Sequence, residues 1–254
     1  MNAFLQALTF LTRLPVRFRP QPEAWPRSTA YYPLVGLIIG LAICLFSWVS
    51  HLAFPSFLAS VITLGGWIWI TGGLHLDGLM DVADGIGSAR SRERMIEIMK
   101  DSRVGAMGVI AAIATLLVKG AALDGLAADA SGYLLLAAIP LLSRTGLLLS
   151  IRHWPYLHEQ SAGMARSLKA GLTLKRYAAS LSLAVLAAWL LTGFWAGLVF
   201  LLCWLLFACL FNRMITAKLG GLSGDAYGAL VEGSEAVLLA IGAAYLHLGG
   251  SVGW

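Results

Sequence analysis

Asp77, Asp81 and Asp84 follow at i, i+4 and i+7 in the run GGLHLDGLMDVADGIGSAR, residues 72–90. That spacing puts three carboxylates on one helical face. Like charges so placed repel, and a cation among them relieves the repulsion. Carboxylates are hard oxygen donors, and Mg²⁺ is usually held by a few of them together with substrate phosphates. One or two such ions would neutralise a diphosphate and stabilise its leaving oxygen. The competing reading is a solvated acidic face on a surface helix. Against it stand Leu76, Leu79, Met80 and Val82 on the other face, and the apolar stretch that runs directly into the segment.

Other residues offer partners for that chemistry. Asp225 lies in NRMITAKLGGLSGDAYGALVE (212–232) among Gly220, Gly221, Gly224 and Gly228, with Glu232 further along. A glycine-rich turn opening a helix exposes backbone donors suited to phosphate, although turns between membrane spans share that composition. Residues 91–108, SRERMIEIMKDSRVGAMG, set Met95, Ile96, Ile98 and Met99 beside Arg92, Glu93, Arg94 and Glu97. This is the pattern of an amphipathic helix on a membrane surface. Lys100, Asp101, Ser102 and Arg103 cluster where the next apolar stretch begins. Ser102 or Asp101 is expected to cap that helix, while Lys100 and Arg103 either grip phosphate or snorkel at the interface. His75 is either a substrate or metal contact or a structural group at a helix end. Arg144, inside an apolar stretch, needs an acidic partner from another helix or a bound anion.

The elements that position these residues follow from composition. Of 254 residues, 59% are hydrophobic and 12% charged, with a mean hydropathy of +0.79. Soluble domains carry about 25% charged residues. Several apolar stretches approach the roughly 20 residues that cross a bilayer as a helix, without the alternation of barrel strands. The sequence predicts an all-α, polytopic membrane bundle in a single domain, 1–254, of about seven spans: 33–53, 57–75, 104–122, 131–151, 177–192, 194–211 and 234–248. Short amphipathic helices are expected on its cytoplasmic side. Residues 1–11, apolar but short and without signal-peptide features, predict a helix at the interface.

Every Lys and Arg except Lys119 and Arg144 falls before the first span or in connections 76–103, 152–176 and 212–233. By the positive-inside rule, the N-terminus and those connections face the cytoplasm. The formal charge of +5 is thereby accounted for by topology and calls for no nucleic acid. Cys44, Cys203 and Cys209 lie in apolar stretches at spacings that suggest neither a metal site nor a disulfide framework.

The runs GGLHLDGLMDVADG, SARSRERMIEIMKDSRVGAMG and GGLSGDAYGALVE, with Thr12-Arg13-Leu14-Pro15 and Ser143-Arg144, resemble the cobalamin synthases. These are the bacterial adenosylcobinamide-GDP ribazoletransferases of vitamin B12 assembly. The likeness extends over most of the chain in matching order; Ser223 stands where threonine is expected, and residues 150–200 carry little motif. The resemblance implies that a ribose hydroxyl of α-ribazole, or of its 5′-phosphate, attacks adenosylcobinamide-GDP and releases GMP. It implies Mg²⁺ on Asp77, Asp81, Asp84 and Asp225, with Asp81, Asp84 and Asp225 catalytic. His75, Arg90, Lys100, Asp101, Arg103, Arg144 and Glu232 are the candidate substrate contacts. The setting implied is the bacterial cytoplasmic membrane, with the site facing inward; a homo-oligomer or contact with other enzymes of the pathway is left open. CDP-alcohol phosphotransferases use a related Asp-x-x-Asp-Gly-x-x-Ala-Arg motif; Asp81 to Arg90 has one extra residue before Ala-Arg. The rival readings are a membrane prenyltransferase and an ion-coupled transporter, the latter requiring acidic residues deep in several spans.

Overall fold

Lipid offers backbone N–H and C=O groups no partner, so the apolar stretches must fold as helices. A computed structural model describes residues 2–127, 130–157 and 164–252. In chain order the helices are α1 (Asn2–Leu11), α2 (Trp25–Ser28), α3 (Tyr32–Ala53), α4 (Ser56–Thr71), α5 (Leu74–Gly87) and α6 (Arg92–Met99). There follow α7 (Ala106–Leu126), α8 (Ala130–His153), α9 (Met164–Gly171), α10 (Leu174–Thr192), α11 (Phe194–Leu219) and α12 (Gly224–His247). Among the described residues, six spans are long and apolar enough to cross a membrane, and α4 with α5 makes a seventh if that bent pair counts as one. The chain is a multi-pass helical membrane protein.

Helix α8 is the central post: nearly nine-tenths of its apolar window is buried in the bundle, whereas α10 and α11 turn most of theirs outward. The most extensive helix pair is α3 with α8. It is so close because Gly36 and Gly40, spaced as G-x-x-x-G, lie against the backbone of α8. A Cβ on Gly36 would strike the Pro140 carbonyl, and one on Gly40 would strike that of Ala137. Helix α1 is too short to span and buries Ala7, Leu8 and Leu11 in the same core.

Three expectations are corrected. The span predicted over 57–75 stops at Thr71, and the aspartate helix leaves it at 91° rather than continuing it. Gly72 and Gly73, at φ 66° and 69°, form the corner, a left-handed geometry that glycine adopts without strain. The last span begins at Gly224, well before residue 234, because Ser223 caps α12 and the polar residues that follow find partners inside the protein. The stripe on α6 is not laid on lipid: Met95 and Met99 are buried against Val82, Ile215, Leu219 and Ala226. The other predicted spans fall on α3, α7, α8, α10 and α11, with α11 running on to Leu219.

Backbone contact at Gly40 leaves no room to repack. Gly40→Val is expected to destabilise the fold by about 1–3 kcal/mol or more. Leu41→Val, on the adjacent outward-facing residue (52% exposed), should be near neutral. Thermal unfolding in lipid nanodiscs compares the two.

Candidate functional site

Helix α5 lies across the start of α12 in the opposite sense. His75 lies beside Gly228, and Gly78 beside Asp225; a Cβ on Gly78 would come within 2.8 Å of the Asp225 carbonyl oxygen. The absent side chains let two backbones meet and bring Asp77 and Asp81 to the end of α12 that carries Asp225. Asp225 is in the first turn of α12, where the helix dipole favours a negative charge. The Ser223 hydroxyl accepts from the Ala226 N–H at 3.1 Å and donates to Asp225 Oδ2 at 3.4 Å.

Asp84 is held in place by α7. Its two carboxylate oxygens accept from the N–H groups of Gly105 and Gly108, each at 2.8 Å. The helix cap expected from Ser102 or Asp101 is thus supplied by Asp84 from α5. Gly105 and Gly108 are required there, since a Cβ on either would overlap the carboxylate. Each oxygen keeps accepting capacity for a further partner.

The carboxylates feel one another. Asp81, on the far side of the bend from α4, has its pKa pushed up to about 6, first by burial and then by the charges of Asp77, Asp225 and Asp84. Among the described residues, no three metal-ligating side chains converge tightly enough to enclose an ion. The donor set nevertheless fits a hard divalent cation, because it is all oxygen and the crowding that raises Asp81 is what a cation relieves. Asp77 is exposed and Asp81 only partly buried, so both can turn toward a shared ion.

Two cavities flank Asp77. One, of about 260 Å³, lies between α1, α2, α5, α8 and α12 and reaches Asp77 and Asp225. The other, of about 480 Å³, is lined by Arg13, Gly72, Gly73 and Asp77. Arg13 packs its side chain over Gly72, and its N–H donates to the Ile70 carbonyl at 2.7 Å. In the sequence it stood out only as part of Thr12–Pro15 and as one of the bases before the first span; the bend that carries it to the carboxylates has no local signature beyond Gly72-Gly73.

Beneath the carboxylates lies a buried charge network. Lys119 Nζ, 2% exposed as a residue, donates to Glu232 Oε2 at 2.8 Å and Glu235 Oε2 at 2.6 Å. Arg144 pairs with the other oxygen of Glu235 and donates toward Nδ1 of His75 at 3.4 Å. The Lys119 ammonium also lies 4.3 Å from the centroid of the Trp67 ring. Two cations and two anions thereby balance within the bundle. The network gathers His75, Arg144 and Glu232; it includes Lys119, marked in the sequence only as an exception to the charge pattern, and Glu235, which had no signal there. The buried acidic residues Glu232 and Glu235 are thus both paired with cations, rather than left free as an ion-coupled transporter would need.

The remaining candidates are on the connections that follow α5 and α6. Arg90 and Lys100 are exposed, beyond α5 and α6. Asp101 accepts three hydrogen bonds from Arg103, from its backbone N–H, Nε and Nη2. Those bonds pull the Asp101 carboxyl down to about 2. The pair is solvent-exposed, where such bridges contribute little to stability.

A helical bundle with facing carboxylates and cavities at one edge has the architecture of a polytopic membrane enzyme. Residues 3–243 match the family described as Cobalamin-5-phosphate synthase, and the chain belongs to that family. It is 47% identical over 246 residues to the adenosylcobinamide-GDP ribazoletransferase of Brevibacillus brevis, covering 95% of this chain and 97% of that one. The protein of the same name from Desulfitobacterium hafniense is 41% identical (92% and 93% covered), and that of Acinetobacter baumannii strain ATCC 17978 is 35% identical (94% and 96%). No solved structure matches. The chain is a membrane transferase of cobalamin synthesis.

Removing one member of a buried pair strands the other's charge, at about 3–5 kcal/mol. Lys119→Met should therefore sharply lower the thermal midpoint in nanodiscs. Lys119→Met with Glu232→Gln should be more stable than Lys119→Met alone, a coupling that a double-mutant cycle reads directly.

Proposed function

We propose that the chain joins adenosylcobinamide-GDP to α-ribazole, or to α-ribazole 5′-phosphate, releasing GMP, in a Mg²⁺-dependent reaction at the cytoplasmic face of a bacterial inner membrane. The observation that carries this reading is the approach of Asp77 and Asp81 on α5 to Asp225 on α12, with a cavity opening between them. The names of the relatives supply the corrinoid donor; the carboxylates supply the means to handle its diphosphate.

In this reaction a ribose oxygen of the acceptor bonds to the phosphorus nearer the corrinoid. The bond from that phosphorus to the bridging oxygen breaks, and its electron pair leaves with GMP. The hydroxyl proton passes to a carboxylate; Asp225, which lines the cavity, is the candidate base where it does not complete the metal site. Asp77, Asp81, Asp84 and Asp225 would hold Mg²⁺, which when bound offsets charge on the diphosphate and the leaving oxygen. Asp84, fixed by α7, would anchor that set, while Asp77 and Asp81 adjust around it. Arg13, which shares a cavity lining with Asp77, and the exposed Lys100 and Arg103 would draw in a polyanionic donor. His75, Arg144 and Glu232 support the site from below. Phosphoryl transfer depends mostly on such positioning and charge neutralisation.

Purified protein in lipid, given both substrates, should release GMP only when Mg²⁺ is present. Asp81→Asn should lower the rate by roughly two orders of magnitude, as expected for losing several kcal/mol of charge stabilisation, while remaining inserted and folded. Metal-independent GMP release, or near-normal turnover by Asp81→Asn, would overturn the assignment.

A further inference from the structure

The 260 Å³ cavity differs in character from its surroundings. Asp77, Asp225, His75 and Tyr32 give its lining some polar groups, while most of the rest is aromatic or aliphatic, including Phe10, Trp25, Leu147, Ile151, Tyr156 and Tyr227. The aromatic walls are ordered against one another. Phe10 meets Trp25 edge-on at 5.1 Å, and Tyr156 stacks on Tyr227 with 6.2 Å between centroids and 22° between planes. Tyr156 is brought there by the extended segment after α8, which exchanges backbone hydrogen bonds with the turn before α12: Leu157 N–H to Leu222 O at 2.8 Å and Leu222 N–H to Pro155 O at 2.9 Å. Burial and the Asp225 charge raise the Tyr156 pKa, so the ring lies within the field of that carboxylate.

Size and polarity select among the groups the reaction brings together. The volume lies below the roughly 300–1,000 Å³ of sites that take drug-sized ligands; a corrin macrocycle does not fit, and a single nucleoside is the right scale. A guanine base would bury a carbonyl, a ring N–H and an amino group in a chamber whose lining is mostly apolar, with few polar groups such as His75 and Tyr32 to meet them. A dimethylated benzimidazole carries no exocyclic polar group and offers two flat faces for stacking. With such a base in the chamber, the hydroxyls of the attached ribose meet Asp77 and Asp225.

We propose that this chamber is the acceptor subsite, taking the benzimidazole base of α-ribazole between apolar and aromatic walls and presenting its ribose hydroxyl to Asp225. The inference rests on the reaction proposed above. The donor's guanosine and corrinoid then bind outside the chamber, on the other side of Asp77.

Gly224 lines the chamber, and a Cβ built on it meets nothing within 4 Å, so a side chain there can intrude without disturbing the helix packing. Steady-state GMP release in nanodiscs should be measured for the unmodified protein, Gly224→Leu and Tyr227→Leu, varying each substrate in turn. Each variant should raise KM for α-ribazole by roughly tenfold, the scale of a lost base-stacking contact, with KM for adenosylcobinamide-GDP within about twofold of normal. A rise for the donor instead, an equal rise for both, or no change in either would overturn the subsite. No GMP from the unmodified protein would sink the reaction itself, a separate outcome. Should the variants not fold, α-ribazole must shield Gly224→Cys from a maleimide while GMP does not; labelling, located by mass spectrometry, that α-ribazole leaves unslowed rejects the proposal.

Discussion

Four charged side chains are enclosed among helices that present apolar faces to lipid, and their mutual pairing constrains the whole bundle. Lys119 on α7, Arg144 on α8, and Glu232 and Glu235 on α12 could each be stranded only at a cost of several kcal/mol. Each is met by an opposite charge, with Glu235 shared between the two cations. A helix that slid or rotated would separate these pairs, so the network sets the register of α7, α8 and α12. Through the contact from Arg144 to His75 it reaches α5 as well. The aspartate helix is thus tied to the buried charge network, although Asp77 is exposed and Asp81 only partly buried.

Glycine contacts complete that placement. Gly78 and Gly228 let α5 and α12 touch backbone to backbone, and Gly105 and Gly108 let the start of α7 wrap around the Asp84 carboxylate. Asp84 therefore terminates one helix while standing in line with Asp77 and Asp81 on another. Burial first, and then the charges of Asp77, Asp225 and Asp84, raise Asp81 to about 6, and a cation at the edge would relieve the repulsion among them. The corner at Gly72-Gly73 leaves space on one side, where Arg13 lies, and the aromatic chamber occupies the other.

Much of this was legible in the sequence. Hydropathy located α3, α7, α8 and α10 closely, since apolar length alone determines a span. The i, i+4, i+7 spacing put Asp77, Asp81 and Asp84 on one face, and Arg144 was expected to need an acidic partner or a bound anion; it has Glu235. What was hidden depends on contacts distant in sequence. Glu232 and Glu235 lower the hydropathy of the start of α12, so that segment read as a connection, although Lys119 and Arg144 satisfy both. The apolar stripe of α6 looked the same whether lipid or Val82 and Ile215 would cover it. The 91° corner at Gly72-Gly73 could not be told from helix–helix packing glycines.

The central claim is that the facing carboxylates of α5 and α12 receive the diphosphate through a divalent cation. A structure of the protein in lipid, with adenosylcobinamide-GDP and Ca²⁺ in place of Mg²⁺ to hold the complex unreacted, tests it most directly. The account predicts cation density ligated by Asp77 or Asp81 together with Asp225, with the diphosphate oxygens completing its shell. A diphosphate bound elsewhere, with these carboxylates solvated and no cation between them, would contradict it.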